Sequence, residues 1–217
     1  MLLPGIEGRP WEFRQCIPGL REAGLECTVD VIEWGHGAYR DLKNLTDLSA
    51  NLAHAHEVAA RIAAYQHEHP DEAITVVGYS GGGGLALLVV EALPPGVMLE
   101  RVILMAAAVA PDHDVHPVLA HARRGVLNFY SPRDSFVLGA GTRTFGTIDR
   151  KYTASAGYVG FQDSAGQLLQ CEGLTQIPWT QDWLKLGHDG GHIGWLARPW
   201  ARAILAHEID PNCPVTP

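Results

Sequence analysis

The sequence lacks an apolar run long enough to cross a bilayer, and it is short of positive charge. Its 217 residues include 16 Lys and Arg against 24 Asp and Glu, which gives a formal net charge of −8. A membrane-spanning helix needs about 20 consecutive apolar residues. An acidic chain is also repelled by phosphate backbones and anionic lipid. These absences exclude nucleic acid and membrane as the main partners.

Cysteine is scarce and scattered, which excludes another group of proteins. The four cysteines are Cys16, Cys27, Cys171 and Cys213. No two of them form a C-x-x-C pair, so neither a zinc ribbon nor a redox motif is indicated. The chain also begins without a basic segment followed by an apolar one, the pattern of a signal peptide. We therefore expect a cytoplasmic protein with free thiols.

Apolar runs alternate with helical patterns along the chain. Hydrophobic residues make up 47% of the sequence and charged residues 18%, as in one globular domain over residues 1–217. The continuous apolar run at 101–107 is typical of a parallel strand covered on both faces. The sequence therefore predicts an α/β fold, a mostly parallel sheet flanked by helices on both faces.

Several elements of this fold can be placed from periodicity and turn residues. Strands are predicted at 25–32, 74–77, 101–107, 126–130 and within 168–177. Helices are predicted at 11–23, 45–62, 85–93 and 199–207. Asn44 or Thr46 is the expected cap of the second helix, and residues 139–167 resemble a loop.

The most informative stretch joins the strand at 74–77 to the helix at 85–93. It contains Gly78-Tyr79-Ser80-Gly81-Gly82, which fits G-x-S-x-G with a strand before it and a helix after it. Small residues on either side would let strand and helix approach closely, with Ser80 exposed at the turn. A glycine turn that cradles phosphate is the alternative, but no Gly-Lys-Ser/Thr follows. The stretch indicates that Ser80 is a nucleophile.

A serine nucleophile needs a base and an acid that orients the base. In parallel sheets such groups collect at the carboxyl ends of strands. Asp134 follows the strand at 126–130, and Asp112 and Asp114 follow the preceding strand, so all three are candidate acids. Among eleven histidines, His188 and His192 share a glycine-rich loop before the last helix. Both are candidate bases, although the pair His188-Asp189 also suits a solvated surface turn.

Taken together, these residues resemble the α/β-hydrolase family, as a small serine esterase or lipase without a cap domain. Four segments carry the resemblance: Gly78–Gly82, Tyr130-Ser131-Pro132-Arg133-Asp134, Gly191-His192-Ile193-Gly194-Trp195 and Pro4-Gly5-Ile6-Glu7-Gly8. The order Ser, Asp, His along the chain is that of the family. The resemblance implies that Ser80 is the nucleophile, His192 the base and Asp134 the acid.

The resemblance also implies an oxyanion hole formed by the N–H groups of Ile6 and Gly81. The chain departs from the family at Pro4, where histidine is common, and in having no counterpart of the first strands before Met1. Residues 111–124, where many members insert a cap, are too few for one. We therefore expect an open site without a lid.

The expected function is hydrolysis of a small-molecule carboxylic ester or thioester through an acyl-enzyme, with no metal or organic cofactor. One alternative is a metal-dependent hydrolase that uses His and Asp clusters. Its candidate ligands are Asp112, His113, Asp114, His116, His188, Asp189 and His192. However, Gly190 and Gly191 oppose the helix that an H-x-x-x-H zinc site would need. A non-catalytic binding protein of the same fold is the other alternative.

Overall fold

Five parallel strands form one sheet in the computed structural model, which describes residues 1–37 and 40–213. The strands are β1 (Leu2–Leu3), β2 (Thr75–Tyr79), β3 (Arg101–Met105), β4 (Val126–Tyr130) and β5 (Leu174–Pro178). They lie side by side in chain order, and every pairing is parallel. The predicted α/β fold with a parallel sheet is confirmed.

The central strands are buried from end to end. Every residue of β3 and β4 is buried, whereas β5 is half-buried or exposed along its length. Val77, Ile103 and Leu127 stand opposite one another across three strands. Such apolar runs are what a parallel strand needs when helices exclude water from it. The core therefore lies along β3, β4 and the neighbouring strand β2, which Ser80 follows.

The chain changes direction across the sheet between β1 and β2. The strand predicted at 25–32 shortens to a single parallel bridge between Val31 and Leu2, because β1 offers only two residues for pairing. This bridge lies on one side of β1, and β2 pairs with the other side. In open parallel sheets, ligands bind at the carboxyl ends of strands where the order reverses in this way. The fold thus points to the crevice after Leu3 and Tyr79.

The helices occupy most of the remaining chain. The α-helices are α1 (Cys16–Glu22), α2 (Asp41–Thr46), α3 (Leu48–Glu68), α4 (Gly81–Glu91), α5 (His116–Leu119), α6 (Thr142–Phe145), α7 (Ala156–Val159), α8 (Arg198–Trp200) and α9 (Ala206–Ile209). Pro10–Arg14, Gln181–Leu186 and His192–Leu196 form 3₁₀ turns, and Ser135–Gly141 and Ala201–Leu205 are π-helical turns. Within the described residues, no helix is both long and apolar enough to cross a bilayer.

Three predicted elements differ in detail from the structure. The helix predicted at 11–23 is interrupted at Gln15, between a 3₁₀ turn and α1. The cap of α3 is Asp47, whose carboxylate accepts a hydrogen bond from the Ala50 N–H at 3.1 Å. The segment predicted as a loop at 139–167 contains α6 and α7. Short helices of four residues carry too little periodicity to be recognised in a sequence.

A partly buried ionic cluster ties the end of α4 to two loops. His113 Nε2 lies 2.7 Å from Glu91 Oε1, and His113 Nδ1 lies 3.3 Å from Asp149 Oδ2. Burial alone lowers the pKa of His113, but the hydrogen bonds to Asp149 and Glu91 outweigh burial and raise this pKa to about 9. The imidazolium form of His113 is therefore part of the folded structure.

We predict that the free energy of unfolding falls as the pH rises from 6.5 to about 9, because the folded His113 retains a proton that the unfolded chain releases. His113→Gln should flatten this part of the stability curve. Urea unfolding followed across this pH window measures the effect. The control is His116→Gln, since His116 is largely exposed. Equal slopes in the parent protein and His113→Gln would contradict the assignment.

Candidate active site

Ser80 lies at the sharp turn between β2 and α4. Its φ of 54° and ψ of −121° form a backbone conformation that side-chain-bearing residues rarely adopt. Such a conformation costs about 1–3 kcal/mol and persists only where the surroundings enforce it. Here the Ser80 N–H donates to the Met105 carbonyl at 2.9 Å, and the Ser80 carbonyl accepts from the N–H groups of Gly83 and Ala108. The turn is therefore fixed by the neighbouring strand.

Glycine is required on both sides of this turn because backbone approaches backbone. A Cβ atom on Gly78 would lie 2.4 Å from the Gly82 carbonyl oxygen. A Cβ atom on Gly82 would lie 2.2 Å from the carbonyl oxygens of Leu3 and Pro4. No side chain fits such distances, so the close approach expected from the glycines is present. The packing of α4 against β1 and β2 forces Ser80 into its strained geometry.

The structure brings Ser80, His192 and Asp134 into one hydrogen-bonded chain. His192 Nε2 lies 2.8 Å from Ser80 Oγ, and His192 Nδ1 lies 2.5 Å from Asp134 Oδ2. With its proton on Nδ1, the imidazole donates to the carboxylate and accepts from the hydroxyl. The Asp134 side chain is 2% exposed and that of His192 is 13% exposed. The serine therefore faces a base whose ring is oriented by a buried carboxylate.

Asp134 reaches this position through the turn that follows β4. Its N–H donates to the Ser131 carbonyl at 3.1 Å, which closes the turn. The other candidate acids point elsewhere. Asp112 bonds to Lys151 Nζ at 2.7 Å, and Asp114 Oδ1 lies 2.7 Å from His116 Nδ1 at an exposed position. The arrangement separates Asp134, which the family resemblance favoured, from the two aspartates that follow the preceding strand.

The loop that carries His192 is held at Gly190 from two directions. Ser131 Oγ donates to the Gly190 carbonyl at 2.6 Å, and the Gly190 N–H donates to His188 Nδ1 at 3.2 Å. Ser131 is also the residue whose carbonyl closes the Asp134 turn. One residue therefore connects the turn that carries Asp134 with the loop that carries His192. This role of Ser131 is not predictable from the sequence, because no local motif shows which distant carbonyl a serine contacts.

His188 is not part of a solvated surface turn, and that expectation is wrong. It is fully buried among tryptophan rings, with ring centroids 4.1 Å from Trp195 and 5.8 Å from Trp183. Burial lowers the pKa of His188 from 6.5 to about 4, although the charge of Asp189 acts in the other direction. His188 is therefore a neutral core residue that supports the loop and does not contact Ser80.

Tyr79 supports the backbone and the ring of His192. Its hydroxyl donates to the His192 carbonyl at 3.1 Å, and the two ring centroids are 5.2 Å apart. Burial raises the pKa of Tyr79 well above its ordinary value, and the charges of Glu12 and Asp134 add to the effect. The phenol therefore remains protonated and keeps its donor. The sequence placed Tyr79 inside the motif but gave no indication of this contact.

The backbone of Ile6 lies close to Gly81, the residue that follows Ser80. A Cβ atom on Gly81 would lie 3.2 Å from the Ile6 nitrogen. Gly81 begins α4, so its N–H has no acceptor within the helix. The loop before Ile6 is held by Glu12 Oε2, which accepts from the Gly5 N–H at 3.0 Å. Asn44, which does not cap a helix, donates to the Ile6 carbonyl at 2.7 Å. The two residues predicted to form an oxyanion hole are thus close neighbours, and that role stays a prediction.

The predicted His and Asp clusters are dispersed in the structure. His113 pairs with Glu91 and Asp149, and His116 pairs with Asp114. His188 is enclosed by aromatic rings, away from His192 Nε2, which contacts Ser80. Across residues 1–37 and 40–213, no three His, Cys, Asp or Glu side chains are grouped so that they could share a metal ion.

Comparison with known proteins adds no relative: no family model, curated protein or solved structure matches the chain significantly. What can be said of function therefore depends on the geometry of the site.

We predict that acid weakens the fold through His188. Between pH 6.5 and about 4 the folded state binds fewer protons at His188 than the unfolded chain, so the free energy of unfolding falls as the pH falls. His188→Phe should reduce this slope. The measurement is urea unfolding at several pH values, with the exposed His116→Phe as the control. A slope that is unchanged in His188→Phe would show that other groups cause the acid sensitivity.

Proposed function

We propose that this protein is a serine hydrolase of the α/β-hydrolase type that cleaves a carboxylic ester or thioester. The observation that carries the proposal is the hydrogen-bonded chain from Ser80 Oγ through His192 to Asp134, at a strained turn between a strand and a helix. This is the geometry by which such triads are recognised, whatever their sequence positions. The reversal of direction between β1 and β2 supports the same location for the site.

In the proposed mechanism Ser80 Oγ attacks the carbonyl carbon while His192 Nε2 takes its proton. The imidazolium that forms is stabilised by the buried carboxylate of Asp134. Negative charge that develops on the carbonyl oxygen is met by the N–H groups of Ile6 and Gly81, and the start of α4 adds its partial positive charge. His192 then gives the proton to the leaving oxygen or sulfur.

The second half of the reaction repeats these steps with water. His192 Nε2 removes a proton from a water molecule, and the hydroxide attacks the acyl group on Ser80. When the tetrahedral intermediate collapses, the Ser80 oxygen leaves and recovers its proton from His192. The rigid support of the His192 loop by Ser131 and Tyr79 suits this exchange, because the ring must return to the same place twice.

An open site is part of the proposal. Residues 111–124 form only the short helix α5 and its flanking turns, which is too little chain for a cap domain.

The proposed setting is the cytoplasm, which the four unpaired cysteines support.

Ser80→Ala tests the proposal directly. We predict that the variant folds normally and loses ester hydrolysis by about three orders of magnitude or more, because the nucleophile is gone. Hydrolysis of p-nitrophenyl esters of increasing chain length gives the rate, and a fluorophosphonate probe followed by mass spectrometry identifies the labelled residue. Labelling of the parent protein at Ser80 is expected. Activity of Ser80→Ala within about tenfold of the parent would refute a serine mechanism.

The choice of acid has its own test. We predict that Asp134→Asn lowers kcat/KM by about 10⁴-fold, since the amide favours the wrong tautomer of His192. Asp112→Asn is the matched control, because Asp112 contacts Lys151 at an exposed position. It should stay within about twofold of the parent. A crippled Asp112→Asn beside a nearly normal Asp134→Asn would move the acid to the preceding loop.

A further inference from the structure

A groove of about 680 Å³ runs between the 3₁₀ turn Pro10–Arg14 and the segment that follows His192. Ser80 and His192 do not line it, but their chain neighbours Tyr79 and Ile193 do. Its size is that of a pocket for a small molecule. The groove therefore begins beside the proposed nucleophile and base.

Large apolar side chains surround this groove although they are open to solvent. Ile193 is 71% exposed, Trp11 50% and Leu184 49%, and all three line the groove. Single exposed apolar residues are common on protein surfaces, but several around one concavity indicate a binding site. The three come from different segments of the chain, so a shared position in one helix does not explain their exposure.

The groove is connected to the reacting atoms through two contacts. Glu12, which lines it, accepts a hydrogen bond from Gly5, and a Cβ atom on Gly5 would lie 3.4 Å from Ser80 Cβ. On the other side, Tyr79 forms part of the lining and donates to the His192 carbonyl. A substrate whose carbonyl lies at Ser80 therefore has room to extend either its acyl chain or its leaving group into the groove.

The position of His192 decides which of these two groups enters the groove. In the mechanism above, His192 Nε2 must protonate the leaving atom, so the leaving group lies on the histidine side of the carbonyl. Ile193 and Gly194, which directly follow His192, line the groove. The groove consequently lies on the side of the leaving group.

The charged side chains that line the groove restrict the chemistry of the leaving group further. Glu7, Glu12 and Asp189 line it, against Arg14 and Arg198. Acidic side chains therefore outnumber basic ones in the lining by three to two, and the whole chain is acidic as well, so an anionic leaving group is disfavoured.

We propose that this groove binds the leaving group of the substrate, and that this group is apolar and either uncharged or cationic. The inference rests on the proposed serine hydrolase function.

The first test compares benzyl acetate with methyl acetate, which share the acyl group and differ in the leaving group. In Trp11→Ala and in Ile193→Ala, the ratio of kcat/KM for benzyl over methyl acetate should fall by about tenfold, as expected when an apolar contact is lost. Tyr152→Ala is the control, since Tyr152 is an aromatic residue that is 62% exposed and does not line this groove. It should leave the ratio unchanged.

The second test varies the acyl group at a constant leaving group, with methyl hexanoate and methyl acetate. Their ratio of kcat/KM should be the same in the parent protein, Trp11→Ala and Ile193→Ala. If this ratio falls while the benzyl-to-methyl ratio does not, the groove holds the acyl chain and the leaving-group assignment is overturned.

The third test places a carboxylate on the same leaving group. Benzyl acetate should be hydrolysed about three- to tenfold better than its 4-carboxybenzyl counterpart at low salt, and the difference should narrow as salt screens the charges. An equal or better rate with the carboxylate would overturn the inferred charge preference.

Failure of the groove assignment and failure of the function give different results. A parent protein that is labelled at Ser80 and hydrolyses the acetates, with no change of either ratio in the variants, overturns the groove assignment alone. A parent protein that is neither labelled at Ser80 nor active on any of these esters overturns the function, and the groove assignment falls with it.

Discussion

The close approach of α4 to β1 and β2 is the constraint on which the rest of the site depends. Because Gly78 and Gly82 lack side chains, the helix begins almost in contact with the strand ends. The turn between strand and helix is then so short that Ser80 takes a positive φ. The same contact brings the loop after Leu3 beside the start of α4. Strain at the serine and the pair of N–H groups at Ile6 and Gly81 thus have one physical origin.

A second device fixes the His192 loop relative to the Asp134 turn without using the side chain of either residue. The Gly190 carbonyl is bound by Ser131, and its N–H is bound by His188. Gly190 is buried, and the two peptide groups that flank its Cα are each held by one of these bonds, so the residue has little freedom to shift: breaking either bond leaves an unpaired polar atom. The neutral state of His188 belongs to this arrangement, since a protonated ring among tryptophans would lack solvation. The loop of His192 is therefore stiff although it is rich in glycine.

Some predictions from the sequence were uncertain for reasons that the structure makes plain. Asp112 and Asp134 both follow strands, and only packing determines that the first turns to Lys151 and the second to His192. His188 stands beside Asp189 in a glycine-rich segment, a composition typical of surface loops, yet Trp183 and Trp195, which precede and follow it in the chain, fold over it and enclose it. The strand predicted at 25–32 had a suitable pattern, but β1 is too short to pair with it for more than one bridge.

The sequence by itself determined the buried strands and the turn at Ser80, because both depend on residues that are adjacent in the chain. A buried strand, a glycine turn and an apolar helix in direct succession leave the backbone few alternatives. Only the tertiary structure decided which aspartate meets His192, why Ser131 matters, and that Trp11 and Ile193 border one groove. These contacts join segments far apart in sequence. Their partners follow from how the layers pack and not from any local pattern of residues.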